Sequence, residues 1–287
     1  MRYIEMLKYK RPAFSATEEA YIKKYIAPVC NHKDDFGNYI KKIGNNPEIL
    51  FSSHTDTVHS SEGMQKIYCK NDKLTSRSNC LGADDTTGNY IMLEMIAAAI
   101  PGLYIFHRDE ECGGRGSAYI AENTPELLDN IEIAIAFDRL GYNDIVTEQR
   151  GYSCCSPDFA AQFSTLDMRP ACGSFTDTAN YTDLISECTN ISVGYFNQHT
   201  KKEYQDIAFL SDLTKKLLLF KWESLTAHRD LQAVNSYNYI DDLYNDDLYN
   251  FILDHPDIVA EYLKLYSETP ATITRAMRGE YTNDAIY

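Results

Sequence analysis

The stretch Ile49-Leu50-Phe51-Ser52-Ser53-His54-Thr55-Asp56-Thr57-Val58 decides how the rest of the chain is read. An apolar run passes directly into a histidine and an aspartate two positions apart. Strand side chains alternate with period two, so His54 and Asp56 share a face at the end of a strand. The imidazole is then free to bind a metal, while Asp56 accepts its other ring N–H and fixes the tautomer.

Working outward, the same arrangement recurs. Residues 103–106 (LYIF) lead into RDEECGGRGS, with Glu110 and Glu111, and residues 131–137 (IEIAIAF) lead into Asp138. A further run, ISVGY at 191–195, leads into NQHT with His199. Continuous apolar runs suit strands buried on both faces. Helices are expected over 17–26, 86–99, 117–122 and 157–165, the second of them amphipathic through Ile91, Met92, Met95, Ile96 and Ala99. Residues 38–43 and 48–53 read as a hairpin around Gly44-Asn45-Asn46-Pro47. Alternating helices and strands predict an α/β fold, three layers deep (α/β/α), with a mixed and mostly parallel sheet.

Chemistry follows from what the strand ends present. LGADDTTG sets Asp84 and Asp85 at a tight turn where a helix begins. A carboxylate there can bridge two cations, and an aspartate there can equally serve as a helix N-cap. Adjacent glutamates at a strand end are expected to point to opposite sides, so one of Glu110 and Glu111 can coordinate a metal while the other acts as a general base.

Composition is that of a soluble globular enzyme, with 44% hydrophobic and 24% charged residues. A formal net charge of −15 argues against nucleic acid as a partner, because phosphate binding needs clustered Lys and Arg. MRYIEMLKYKRPAF interleaves charged and apolar residues, showing neither a secretory signal nor a membrane span, and a cytoplasmic protein is the expectation. The eight cysteines fit no metal-finger spacing and are expected to be reduced and mostly buried.

Taken in order, SHTDTV, LGADDTTG, DEECGGRGS, a strand-terminal aspartate and a late histidine resemble the co-catalytic di-zinc exopeptidases, a group that includes peptidase T, the glutamyl aminopeptidases and the lid-free bacterial aminopeptidases. The resemblance spans residues 34 to 220. It implies that His54, Asp84 and Asp138 hold one metal and Asp84, Glu111 and His199 the other, with Asp84 shared. It further implies Glu110 as general base and Asp56 as the group orienting His54. Zinc is the default metal, and manganese or cobalt are alternatives for a site rich in carboxylates. SFTDTAN, with Asp177, resembles a loop that approaches the site in relatives.

The departures matter as well. Only 61 positions separate Asp138 from His199 and 30 separate His54 from Asp84, so no lid or dimerisation domain is expected in either interval. A bare catalytic domain over 1–229 is expected, followed at 230–287 by an acidic, tyrosine-rich helical appendage with eleven Asp or Glu against three Lys or Arg. Thr86-Thr87 replaces a basic residue common in some relatives, and His107 stands where small or hydroxyl residues are usual. His32, His59, His228 and His255 have no matching role, with His59 the strongest exception. The implied activity is hydrolysis of a peptide bond at a chain end, preferably the amino end, although Arg115, Arg139 and Arg150 could bind a substrate carboxylate. Deacylation or dipeptide-like amide hydrolysis on a small metabolite is one alternative. A non-catalytic, metal-stabilised domain that binds peptides or a partner is the other.

Overall fold

Residues 49–54 form a strand with every side chain buried, and its neighbours 102–107 and 133–137 are buried just as completely. These all-apolar runs can be satisfied only in the middle of a covered sheet. The computed structural model describes residues 2–231. Nine strands form the main sheet: β1 (His32–Lys33), β2 (Tyr39–Ile43), β3 (Ile49–His54), β4 (Gly102–His107), β5 (Ile133–Arg139), β6 (Asp144–Gln149), β7 (Tyr152–Ser153), β8 (Arg169–Gly173) and β9 (Glu187–Ser192).

The sheet runs β7-β6-β9-β5-β3-β4-β2-β1, with β8 pairing on β6. Its centre is parallel, β9 on β5, β5 on β3 and β3 on β4, while β2, β1 and β6 add antiparallel partners at the flanks. His54 stands in register with His107, so parallel strands end together and present their ligands at one edge. Phe51 lies at the heart of the core, its ring 5.0 Å from Tyr104, 5.9 Å from Phe137 and 4.8 Å from Trp222. Gly102 makes room for it, since a Cβ there would come within 2.6 Å of the Phe51 ring.

Helices cover both faces. Helix α1 (Ala16–Tyr21) is capped by Ser15, whose hydroxyl accepts the Glu18 N–H, and it continues into a π turn over Ile22–Ile26. Helix α2 (Ala83–Ala97) packs on β3 and β5, and α5 (Ile207–Leu219) packs on α2. A 3₁₀ turn at Asp177–Tyr181, with α3 (Arg115–Asn123) against it, packs on β3, β5 and β9. A short α4 (Pro157–Ala161) lies against β8 and β6. This is the expected three-layer mixed sheet, and no domain is inserted between Asp138 and His199. Among the described residues, no helix is long and apolar enough to cross a membrane.

Three local expectations differ from the structure. The hairpin of 38–43 with 48–53 does not form, because β4 lies between β2 and β3 and pairs with both. The fully buried β4 pairs parallel with the equally buried β3, and the amphipathic β2, YIKKI, is left to the outer side of β4. Helix α2 is not amphipathic: Thr86, Thr87, Gly88, Asn89, Ile91, Met92, Leu93 and Met95 are all buried, because sheet, α5 and Tyr3 enclose it. The last parallel strand is ECTNIS at Glu187–Ser192, with Tyr195–Phe196 a separate short strand, so its polar residues hid its start. The appendage expected over 230–287 lies outside the described residues from 232 onward, and so does His255.

Candidate metal centre

Most predicted site residues sit at or just beyond the end of a parallel strand or at the start of a helix, and His199 sits on a turn between antiparallel strands. His54 closes β3, Asp138 is the penultimate residue of β5, and Glu110 and Glu111 lie in the turn after β4. That turn is bent by Asp109 at φ 65° and closed by the N–H groups of Gly113 and Gly114 on the Glu110 carbonyl. The two glutamates are therefore on a turn and not in an alternating strand, and both face the same centre, with His54, Glu110 and Glu111 converging within 4.8 Å. Asp84 and Asp85, joined by a cis peptide, follow Gly82 at φ 73°, a left-handed conformation that glycine adopts without steric cost. His199 belongs to the turn between the paired strands Tyr195–Phe196 and Tyr204–Asp206.

The centre is built around Asp84. Its Oδ1 lies 3.1 Å from His54 Nε2 and its Oδ2 lies 3.2 Å from His199 Nε2, so one carboxylate faces both imidazoles. His54 Nε2 is also 3.7 Å from Asp138 Oδ1 and 3.9 Å from Glu110 Oε2, and His199 Nε2 is 3.1 Å from Glu111 Oε2. Asp56 Oδ1 stands 3.3 Å from His54 Nδ1, and its two oxygens accept the main-chain N–H groups of Glu110 and Glu111 at 3.1 Å each. Asp56 thus holds the histidine and the glutamate turn together.

Asp85 also comes near His54 and Asp138, but its oxygens are engaged elsewhere. Oδ1 accepts the Gly88 N–H at 2.7 Å, as an N-cap does, and Oδ2 accepts the His54 N–H at 3.2 Å. The pair divides into one carboxylate aimed at the imidazoles and one that caps the helix.

Electrostatics favour added positive charge. Asp84, Glu110, Glu111 and Asp138 are packed together, and their only ion pairs among the described residues are with His54 and His199. Burial, reinforced by Asp84, pushes Glu111 up to about 7 and Asp138 up to about 6. Burial likewise raises Glu110 well above the usual carboxylate range, with Asp138 and Asp177 adding to it against the opposing pull of His54. Asp84 is driven the other way: against burial, the hydrogen bonds of His199 and His54 hold it low. Those bonds, from Asp84 and then Glu111, push His199 up to about 11, and contacts with Asp138, Asp56 and Asp84 overcome burial to raise His54. In addition, Glu111 Oε1 is buried without a hydrogen-bond partner. Two imidazoles, four convergent carboxylates and an unpartnered oxygen suit divalent metal: His54 with Glu110 and Glu111, His54 with Asp85 and Asp138, and Asp84 with Glu111 and His199 each offer three ligand atoms within 4.8 Å of one another.

Supporting residues escaped the sequence reading. Tyr195 donates its hydroxyl to Asp138 Oδ1 at 3.0 Å and Thr176 donates to Oδ2 at 2.7 Å, while the Asn190 side chain bonds both the N–H and the C=O of Asp138. Asn89 donates to the carbonyls of His54 and Asp85. Glu203 accepts four main-chain N–H groups from residues 81–84. Of these only Thr176 belongs to a motif singled out in the sequence, SFTDTAN; for Asn190 the signal was a polar residue inside an apolar run, CTNIS.

The other nominated residues sort plainly. Asp177 is buried, taking the Ser117 hydroxyl at 2.6 Å and lying 3.3 Å from His107 Nδ1, so it anchors a polar cluster behind the centre. Arg139 pairs with Asp144 at 2.9 Å and Arg115 with Asp109 at 2.8 Å, whereas the Arg150 guanidinium stacks 4.1 Å above Phe175. His59 is buried between Thr57 and Gln65, away from the carboxylates, His32 is exposed, and His228 bonds Thr226 at the surface. A small cleft opens on the centre, floored by Asp84, Glu110 and Asp138 and walled by Gln149, Phe175, Tyr195 and Gln198. All eight cysteines are free thiols.

No protein-family model and no curated protein sequence matches the chain. Solved structures do. Aminopeptidase PepT from Bacillus cereus superposes with a TM-score of 0.62 at 15% identity, over 76% of this chain and 95% of that one. The TET1 peptidase of Pyrococcus horikoshii, which can assemble into a tetrahedron or a large octahedral shell, gives 0.58 at 16% identity over 75% and 98%. A tripeptidase from Staphylococcus aureus gives 0.58 at 15% over 75% and 95%. The chain therefore shares its α/β/α fold with these peptidases.

Proposed function

We propose that the protein is a di-metal exopeptidase that removes residues from the amino end of short peptides. The observation that carries this reading is the division of Asp84, whose two oxygens face His54 and His199 while Asp138 and Glu111 stand one on each side. Likeness of fold to aminopeptidases supports it independently.

When bound, a pair of divalent ions polarises the scissile carbonyl and brings the pKa of water from 15.7 to about 7, which removes the need for a serine or cysteine nucleophile. The chain supplies the rest. Glu110, whose environment raises its affinity for a proton, takes one from the attacking water at Oε2 and returns it to the leaving amine. Asp56 keeps His54 in place through Nδ1, and Tyr195 with Thr176 fixes both oxygens of Asp138. An acidic cleft floor attracts an ammonium group, and the nearest arginine, Arg139, is already paired with Asp144, which favours amino-end over carboxy-end recognition. Zinc suits the donor set best, and manganese or cobalt are compatible with its carboxylates.

The test is a panel of peptides of two to six residues, with free and acetylated amino ends, offered to protein reconstituted with zinc. Hydrolysis confined to free amino ends is expected. Cleavage of only the acylated members would transfer the protein to the deacylases, and no hydrolysis with both ions bound would support a binding role.

A further inference from the structure

We infer that Glu203 is a positioning residue that joins the His199 turn to the Asp84 loop and thereby sets the affinity of the second metal ion. The inference rests on the two-metal reading above. Glu203 lies four residues after His199, before the strand Tyr204–Asp206, and is only 2% exposed. Its Oε2 accepts the N–H groups of Leu81 and Gly82 at 2.7 and 3.0 Å, and its Oε1 those of Ala83 and Asp84 at 2.7 and 3.2 Å. Four consecutive main-chain donors thus converge on one carboxylate, a concave anion-binding loop made possible by Gly82 in the left-handed region.

No Lys, Arg or His among the described residues forms an ion pair with Glu203, and both its oxygens are taken up by the loop N–H groups. Taking a carboxylate out of water is costly, and packing needs could be met by an apolar side chain. What an apolar side chain could not do is fix the path of the segment that ends at Asp84 relative to the turn that carries His199. Those two ligands meet at 3.2 Å, from opposite ends of this clasp.

The two halves of the centre are not supported alike. His54 and Asp138 lie on strands of the sheet, their side chains 1% and 7% exposed. His199 lies on a turn at φ 63°, its side chain is 46% exposed, and among the described residues its Nε2 pairs only with Asp84 and Glu111. Loosening the clasp therefore frees the His199 turn, whereas the Asp84 end stays tied to β3 through the His54 N–H on Asp85 Oδ2 and the Asn89 bond to the His54 carbonyl, so His199 moves against Asp84 more than His54 does.

The experiment measures zinc binding to the apo-protein by competition with a chromophoric chelator, alongside the absorption spectrum on stepwise addition of Co2+. Glu203→Gln turns one acceptor into an N–H₂ group facing main-chain N–H donors. The first equivalent should bind within about threefold of wild type and the second about 10 to 100 times more weakly, the range expected when a partner of a metal ligand is lost. Glu203→Asp should fall between. Tyr3→Phe, which removes a buried hydroxyl bonded to Thr87 and Gln205, serves as the control for stability: it should lower Tm without moving either equivalent. Two equivalents unchanged in Glu203→Gln, or an equal loss of the second in Tyr3→Phe at matched Tm, would overturn the inference. If Glu203→Gln does not fold, Glu203→Asp decides: a weakened second equivalent supports the clasp and wild-type binding overturns it. Fewer than two equivalents in the wild type would instead overturn the two-metal reading, and the clasp with it.

Discussion

Replacing Glu110 by glutamine separates two roles that proximity alone leaves together. The carboxylate lies 3.9 Å from His54 Nε2 and converges with Glu111 on the same centre, which is where a ligand would also be. Yet its pKa is displaced strongly upward by burial and by Asp138 and Asp177, the direction that suits a proton acceptor. Glutamine keeps the shape and cannot take the proton. A general base contributes about 10²–10⁴-fold, or about 2.7–5.4 kcal/mol at 1.36 kcal/mol per decade. The loss should fall on kcat, with KM changed by less than about threefold and metal content by plasma emission still two equivalents. Activity within about twofold of wild type would assign the base elsewhere. Loss of one equivalent along with activity would make Glu110 a ligand.

Three further outcomes are expected. Asp84→Asn removes the charge facing both imidazoles, and two like-charged ions repel strongly without it, so both equivalents should be released on gel filtration; retention of two would remove Asp84 from the shared position. Tyr195→Phe leaves Thr176 alone on Asp138 and should weaken metal binding about tenfold with little change in Tm; unchanged affinity would show that one hydroxyl suffices. Burial and then Arg11 lower His59 from 6.5 to about 4, so the unfolded chain binds more protons between those values and stability rises with pH across that window, being lost as pH falls through it. Urea unfolding at pH 4.5 and 7 should show a slope that His59→Gln flattens, while metal content is unaffected; an unchanged slope would point to other groups.

The sheet was legible where its central strands open on apolar runs, ILF, LYIF and IAIAF, which have nowhere to go but a covered interior, and illegible at ECTNIS, whose polar residues broke the pattern. Partner choice was not legible. The turn Gly44-Asn45-Asn46-Pro47 invites a hairpin, and only the competition of β4 for both neighbours rules it out. The candidate ligands could be picked out because histidines and carboxylates stand just after those runs, and the structure brings them together. What holds the ligands was hidden, since Glu203 sits in the unremarkable polar string KKEYQD and acts on a segment 119 to 122 residues away. Asp85 shows the same limit in miniature: adjacent identical residues divide into a helix cap and an imidazole-facing carboxylate through φ and ψ values that no spacing rule contains.

The candidate ligands at 54, 84, 111, 138 and 199 are contributed by five separate segments, each brought in by a different element. An unfolded chain does not bring these five segments together, so divalent ions that bind here would favour the native state over disordered ones. Ion concentration then acts on the folding equilibrium by mass action, adding about 2.7 kcal/mol at a free concentration 100 times Kd. On the proposed two-metal reading, a chelator would act as a denaturant by proxy, and the melting temperature would report how much metal the surroundings supply.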